Sequence, residues 1–168
     1  LGAAYMGLHL LEREKRACGG QPDPKPKFEG HEYILGRQLK PEARTDIIER
    51  LAEAGIVPTS MIDITDGLAS ETLHLCKSSG CGARIYLDRL PIARQTHDMA
   101  EELHADPVVA ALNGGQDYEL LFTVPLSKQQ EIFALGVDVI GHVTAAGTGA
   151  MLVTPDGSEI ALKAPGWK

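Results

Sequence analysis

The stretch Ser60-Met61-Ile62-Asp63-Ile64-Thr65-Asp66-Gly67, running straight into Leu68-Ala69-Ser70-Glu71-Thr72-Leu73, decides how this chain is read. Ser60 to Ile64 suit a short apolar strand, Thr65-Asp66-Gly67 a tight turn, and Leu68 to Ser79 a helix closed by Gly80. A strand feeding directly into a helix is a building unit of sheets covered by helices. It also sets Asp63 to Asp66 at the strand's exit and the helix's entry, where unpaired N–H groups favour anions. Two carboxylates at positions 63 and 66, with a hydroxyl between them, can share one Mg2+ shell. The same residues also serve ordinary turns, with Asp66 or Thr65 capping the helix and Gly67 permitting the bend.

Upstream, Gly2 to Ala17 read as a helix with Ala3, Ala4, Gly7, Leu8 and Leu11 on one face and Glu12-Arg13-Glu14-Lys15-Arg16 as its wet end. Residues 19–30 form a Pro/Gly-rich loop, because Pro22, Pro24 and Pro26 remove backbone donors and hold the chain extended. Pro41 is a good first helical residue, so Glu42 to Ala54 are expected to be helical, with Ile47, Ile48 and Leu51 inward and Gly55 as the stop. Downstream, Ala83 to Leu87 alternate as a strand, and Thr96 to His104 and Pro107 to Leu112 suit short helices, the second capped by Asp106. Asp117 to Val124 form the strongest strand pattern, with Tyr118, Leu120, Phe122 and Val124 on one face. Ser127 caps a helix to Leu135, Val137 to Thr144 make a strand, and Met151–Thr154 with Ser158–Leu162 flank a Pro155-Asp156-Gly157 hairpin turn. This interleaving predicts an α/β (α+β) sandwich, a mixed sheet covered by helices.

A second polar constellation is Asn113-Gly114-Gly115-Gln116-Asp117-Tyr118-Glu119-Leu120. Paired glycines bring backbone close to whatever lies beside them, and Gln116 and Asp117 then stand at the mouth of a strand. The alternative is a tight connection whose polar residues are merely solvated. Trp167, the one tryptophan, follows Pro165-Gly166. It is either a core anchor for the tail or an aromatic platform for a cationic ring.

Composition excludes several function classes. The chain has 168 residues, 43% hydrophobic, 23% charged and 5% aromatic, the profile of one globular domain with a core of its own. No apolar run approaches the roughly 20 residues of a membrane span. Sixteen Lys and Arg against 23 Asp and Glu leave a net charge of -7, which repels nucleic acid and anionic membranes. A phosphorylated substrate would therefore need metal ions as a bridge. Cys18, Cys76 and Cys81 form no C-x-x-C pair and read as packing cysteines of a reduced, cytoplasmic chain. The six histidines show no H-x-x-x-H pair, so nothing points to His-based catalysis. The chain opens Leu1-Gly2-Ala3-Ala4 without Met or a signal peptide, which suggests the later part of a longer protein.

Together these motifs resemble a specific family. Ser60–Ser70, then Gly82-Ala83-Arg84-Ile85, Ala111–Thr123, Ile140-Gly141-His142-Val143-Thr144 and Gly166-Trp167 are similar, in order, to the C-terminal domain of thiamine-monophosphate kinases. Met61–Leu68 or Gly114–Leu120 alone would suggest only the wider superfamily of aminoimidazole ribonucleotide synthetase and selenophosphate synthetase. The resemblance implies ATP- and Mg2+-dependent phosphoryl transfer to thiamine phosphate, giving thiamine diphosphate. It implies a preceding N-terminal domain that dimerises and supplies most ATP contacts. Carried over residue by residue, it makes Asp63 and Asp66 magnesium ligands and Thr65, where Ser is common, an ATP contact. The substrate contact falls on Gln116, where the family usually has Glu, so hydrogen-bonding capacity is kept and the charge is lost. The aromatic residue set against thiamine falls on Trp167. A phosphate acceptor is already anionic, so no general base is implied. Two alternatives accompany this expectation: a superfamily member acting on a different phosphorylated or amide substrate, and a non-catalytic ligand-binding fragment.

Overall fold

The computed structural model describes residues 1–19 and 25–164; Trp167 and the prolines at positions 22 and 24 lie outside the described residues. The elements follow as helix α1 (Ala3–Cys18), α2 (Glu32–Leu39), α3 (Thr45–Glu53), strand β1 (Ser60–Asp63), α4 (Leu68–Ser79), β2 (Gly82–Tyr86), α5 (Arg94–Glu102), α6 (Pro107–Asn113), β3 (Leu120–Thr123), α7 (Gln129–Ala134), β4 (Gly141–Thr144), β5 (Ala150–Val153) and β6 (Glu159–Ala161). The expected mixed sheet is four-stranded, in the order β4-β2-β5-β6, with β2 and β5 parallel and the other pairs antiparallel. The β5–β6 hairpin turns where expected, closed by the Gly157 amide donating to the Thr154 carbonyl at 2.8 Å. Strands β1 and β3 form a separate antiparallel pair, in which Asp63 lies opposite Leu120.

Apolar packing knits these layers through α4. Leu68 and Ala69 of α4 pack with Ile64, Ile85, Leu112 and Leu152, so one cluster joins the end of β1, the mixed sheet and α6. A second cluster, Met6, Leu10, Ile34, Met99 and Ala110, holds the helical layer. Burying a side chain such as Leu10 or Met6 is worth roughly 1.5–3 kcal/mol. Phe122 and Val124 flank a third cluster of Leu51, Ile56 and Ile132. Burial with Cys81 alongside pushes the Cys76 thiol up to about 11, as befits a packing cysteine. Among the described residues no helix is long and apolar enough to cross a membrane.

Several local expectations are corrected. On α1 the buried stripe is Ala3, Ala4, Met6, Gly7, Leu10 and Glu14, while Leu8 and Leu11 are only half-buried. Glu14 is therefore not part of a wet end: its carboxylate accepts the Lys27 amide at 2.8 Å and the Arg13 guanidinium at 3.1 Å. Helix α2 was not anticipated, and it crosses α1 closely because Gly7 has no Cβ; one would stand 2.7 Å from the Ile34 carbonyl. Pro41 does not start a helix. Arg44 takes a non-helical backbone with its guanidinium drawn to Asp46 and Glu119, and α3 begins only at Thr45. Within α3 Leu51 is buried, but Ile48 is 46% exposed rather than inward. The strand expected over Asp117–Val124 shortens to Leu120–Thr123, because Gln116 and Tyr118 both carry positive φ, 62° and 52°. An L-residue there cannot continue an extended ladder.

Candidate active site

The two polar constellations meet. The Gln116 amide donates to the Thr65 carbonyl at 2.7 Å and the Tyr118 amide to the Ile64 carbonyl at 2.9 Å, while the Ile64 amide returns a bond to the Glu119 carbonyl at 2.8 Å. These bonds extend the β1–β3 pairing past the strand ends and clamp the loop of residues 114–119 onto the turn of residues 64–67. Glycines make the approach possible. A Cβ on Gly67 would stand 2.5 Å from the Leu112 carbonyl oxygen, and one on Gly115 would fall on the Thr65 carbonyl oxygen. Gly67, at φ 107°, is the residue before α4, and no side chain caps that helix. The capping alternative for Thr65 and Asp66 is thereby set aside, while the role of Gly67 in permitting the bend holds.

Asp63 ends β1 and is exposed; Asp66 is half-buried in the turn. No described residue hydrogen-bonds or ion-pairs with either carboxylate, whereas Glu119 and Asp46 are paired with arginines. No group of three or more His, Cys, Asp or Glu among the described residues could cage a metal. Magnesium does not need a cage: one or two carboxylates plus phosphate oxygens and waters complete its octahedron. Two unengaged hard-oxygen donors beside a helix N-terminus fit that ion. The Asn113 side-chain oxygen is buried without a partner among the described residues, and its Cα lies against Gly67, 2.9 Å from where a Cβ would stand.

On the facing loop, the Tyr118 hydroxyl donates to Gln116 Oε1 at 2.9 Å, fixing the amide that the resemblance assigns to substrate. The strain of two left-handed residues is held by anchors on both sides. Asp117 between them is 2% exposed, and both its carboxylate oxygens accept the Gly2 amide, at 2.9 and 3.0 Å. Its carbonyl accepts the Arg37 guanidinium at 2.6 Å. Arg37 also reaches Glu119 at 2.9 Å, and Arg44 binds the other Glu119 oxygen. Asp117 is thus neither solvated nor available to a ligand. It ties the loop to the start of α1.

Burial pushes the Asp117 carboxyl above its ordinary value of 3.8, against the Gly2 amide, which favours the charged form. Above 3.8 and up to the higher folded value, the folded chain holds a proton that the unfolded chain has released. Stability from this group therefore falls as pH rises through that window and stays lower above it. Asp117→Asn cannot ionise, so the Tm advantage of the unsubstituted chain over the variant should shrink as pH rises from about 3 to about 7. A pH-independent difference would show that Asp117 is not buried in this way.

Sequence reasoning missed Glu71 and the Arg37–Glu119–Arg44 clamp, and it set Asp117 at the mouth of the site rather than on the Gly2 amide. A crevice of about 1150 Å³ lined by Leu121, Val124, Ile140, Arg37 and Glu119 does not include Asp63, Asp66 or Gln116 in its walls. The polar site lies outside that crevice. Trp167 lies outside the described residues, so its expected role has no structural counterpart.

Residues 6–154 match the family model for AIR synthase related proteins, C-terminal domain. The chain belongs to this AIR synthase related C-terminal domain family. Within that family, it is 31% identical over 169 residues to the thiamine-monophosphate kinase of Aquifex aeolicus (strain VF5), covering 100% of the chain and 48% of the relative. It is 37% identical over 176 residues to the thiamine-monophosphate kinase of Escherichia coli (strain K12), covering 99% of the chain and 48% of the relative. Among solved structures, AaThiL complexed with AMPPCP and TMP superimposes with a TM-score of 0.73 at 31% identity, over 100% of this chain and 48% of that one. The chain thus spans about half the length of the relatives it matches. The α/β fold read from the sequence is the fold of this family.

Proposed function

We propose that the chain is the C-terminal half of a thiamine-monophosphate kinase, supplying part of a site where the γ-phosphoryl of ATP passes to thiamine phosphate, giving thiamine diphosphate. The observation that carries this reading is the 2.7 Å bond from the Gln116 amide to the Thr65 carbonyl, which joins the carboxylate turn to the polar loop. Similarity to relatives bearing that name over the full chain supports it. Asp63 and Asp66 hold magnesium, which when bound neutralises phosphate charge and bridges two anionic substrates. Thr65 contacts the nucleotide. Gln116, its Oε1 bonded to Tyr118, presents amide N–H donors to the thiamine moiety, where a Glu would present charge. Trp167 offers its indole face to the thiazolium cation, worth roughly 0.5–2 kcal/mol.

None of these residues moves a proton. The acceptor phosphate is anionic near neutral pH, and the work of the site is alignment and charge neutralisation. The net charge of -7 accords with a chain that approaches anions through divalent ions. Most ATP contacts, and dimerisation, belong in this reading to an N-terminal domain of the same cytoplasmic protein.

The test is ADP release by the full-length protein across a panel of phosphorylated and amide substrates. Release with thiamine phosphate and Mg2+, its loss on chelation, and inactivity of the isolated 168-residue chain are expected. Release with another substrate and none with thiamine phosphate would replace this reading with that of a different superfamily member. Turnover by the isolated chain would contradict the shared site.

A further inference from the structure

Glu71 is an acid where an acid is costly. It lies in the first turns of α4, 3% exposed, within the layer that packs Leu68 and Ala69 into the core. No basic side chain pairs with it among the described residues; its carboxylate turns back along the chain instead. Oε1 accepts the backbone amide of Asp66 at 2.9 Å and stands 3.3 Å from the Thr65 hydroxyl, the longer and weaker of the two contacts. A buried carboxylate without an ionic partner needs strong donors, and here the donors are Thr65 and Asp66, the two residues just ahead of Gly67. The arrangement resembles a capping box in which the acid reaches the chain ahead of the helix. The usual reciprocal half, a side chain capping α4 from the N-cap position, is missing because that residue is Gly67. The turn is therefore held from the helix side by Glu71 and from the loop side by the Gln116 amide on the Thr65 carbonyl.

We infer that Glu71 is a positioning residue, which fixes the Asp66 backbone so that the Asp66 carboxylate stays aligned with Asp63 for a shared divalent cation. The inference rests on the reading of Asp63 and Asp66 as metal ligands. Asp66 sits between two turn residues, with its own carboxylate unbonded to any described residue, so its aim is set by its backbone, and its backbone amide has one side-chain acceptor. Hydrogen bonds that orient a ligand from behind commonly change metal affinity by about 10–100-fold when removed. The Thr65 hydroxyl directs its proton toward Glu71, leaving its oxygen lone pairs free to accept from a ligand.

The test compares Glu71→Gln, which keeps an acceptor at the same reach, with Glu71→Met, which keeps the volume and removes the acceptor. In the full-length protein, Mn2+ is the probe, its binding followed by paramagnetic resonance without turnover, with the thermal midpoint as a check on folding. Glu71→Met is expected to weaken Mn2+ binding by about tenfold or more. It should speed hydrogen exchange at the Asp66 amide while leaving KM for thiamine phosphate within about twofold. Glu71→Gln should restore Mn2+ binding to within about threefold of the unsubstituted protein. If Glu71→Met does not fold, Glu71→Asp, too short to reach the Asp66 amide, carries the same expectation. Unchanged Mn2+ binding in the folded variant lacking the acceptor overturns the inference, as does a Gln variant as weak as the Met variant. Asp66→Asn separates this from failure of the underlying reading: if it too leaves Mn2+ binding intact, the metal site itself is wrong.

Discussion

In the full-length protein, Asp66→Asn is expected to lower kcat on the order of 10²-fold or more at fixed Mg2+, with far-UV dichroism unchanged. The size follows from what the substitution removes. In the proposed function the two unengaged carboxylates, Asp63 and Asp66, hold the ion at the entry of α4, and no other acidic group among the described residues completes a cluster of three with them. Losing one removes one of the two negative charges that the described residues would bring to the ion, and removing a single group that stabilises transition-state charge commonly costs about 10²–10³ in rate. The amide of Asn keeps one oxygen donor in nearly the same place, so part of the loss should be recovered at high Mg2+. That concentration dependence distinguishes a metal role from a structural one. Asp66 makes no side-chain bond to a described residue, so stability should change little. A variant with normal turnover would remove Asp66 from the site.

Gly115→Ala is expected to be the most damaging small substitution in the facing loop, lowering stability by about 2–4 kcal/mol and the thermal midpoint by roughly 4–16 °C. Two costs combine. Gly115 has φ 70°, a conformation that costs an L-residue about 1–2 kcal/mol. The added Cβ would also fall on the Thr65 carbonyl oxygen, the acceptor of the Gln116 amide. Relief requires the loop to lift from the turn, so the same variant should lose activity beyond its loss of stability. Gly157→Ala is the control, because φ there is also positive, 84°, but nothing stands within 4 Å of the added carbon. It should show only the conformational cost. Equal effects at the two positions would mean that the turn and loop are not packed backbone to backbone.

The strand, turn and helix around Asp63–Asp66 were legible because local signals agreed: an apolar run, a glycine at the bend and a glycine after the helix, confirmed at φ 107° for Gly67 and 62° for Gly80. The hairpin at Pro155-Asp156-Gly157 was legible for the same reason. Helix α2 was not, since Gly36 interrupts its pattern and one residue of it, Ile34, is buried; its place depends on Gly7, far away in sequence. The shortening of β3 was invisible as well. Gln116 and Tyr118 have ordinary strand chemistry or better, and their positive φ is imposed by bonds to Thr65 and Ile64. Motif spacing pointed to which side chains could meet a ligand, but not to which acids were already spoken for. Asp117 looked like a site residue and is bonded to an amide 115 residues away, while Glu71 looked like an ordinary helix residue and braces the turn.

In the proposed function the Asp63–Gly67 turn and the Gly114–Glu119 loop belong to one phosphoryl-transfer site for thiamine phosphate. The most direct test supplies the full-length protein with Mg2+, thiamine phosphate and ATP carrying an isotopic label in the γ-phosphoryl group, and locates the label by mass spectrometry. Label is expected in the terminal phosphoryl of thiamine diphosphate, with little in inorganic phosphate and none transferred by Asp66→Asn beyond a small residue. Label recovered in another acceptor, or in inorganic phosphate alone, would contradict it.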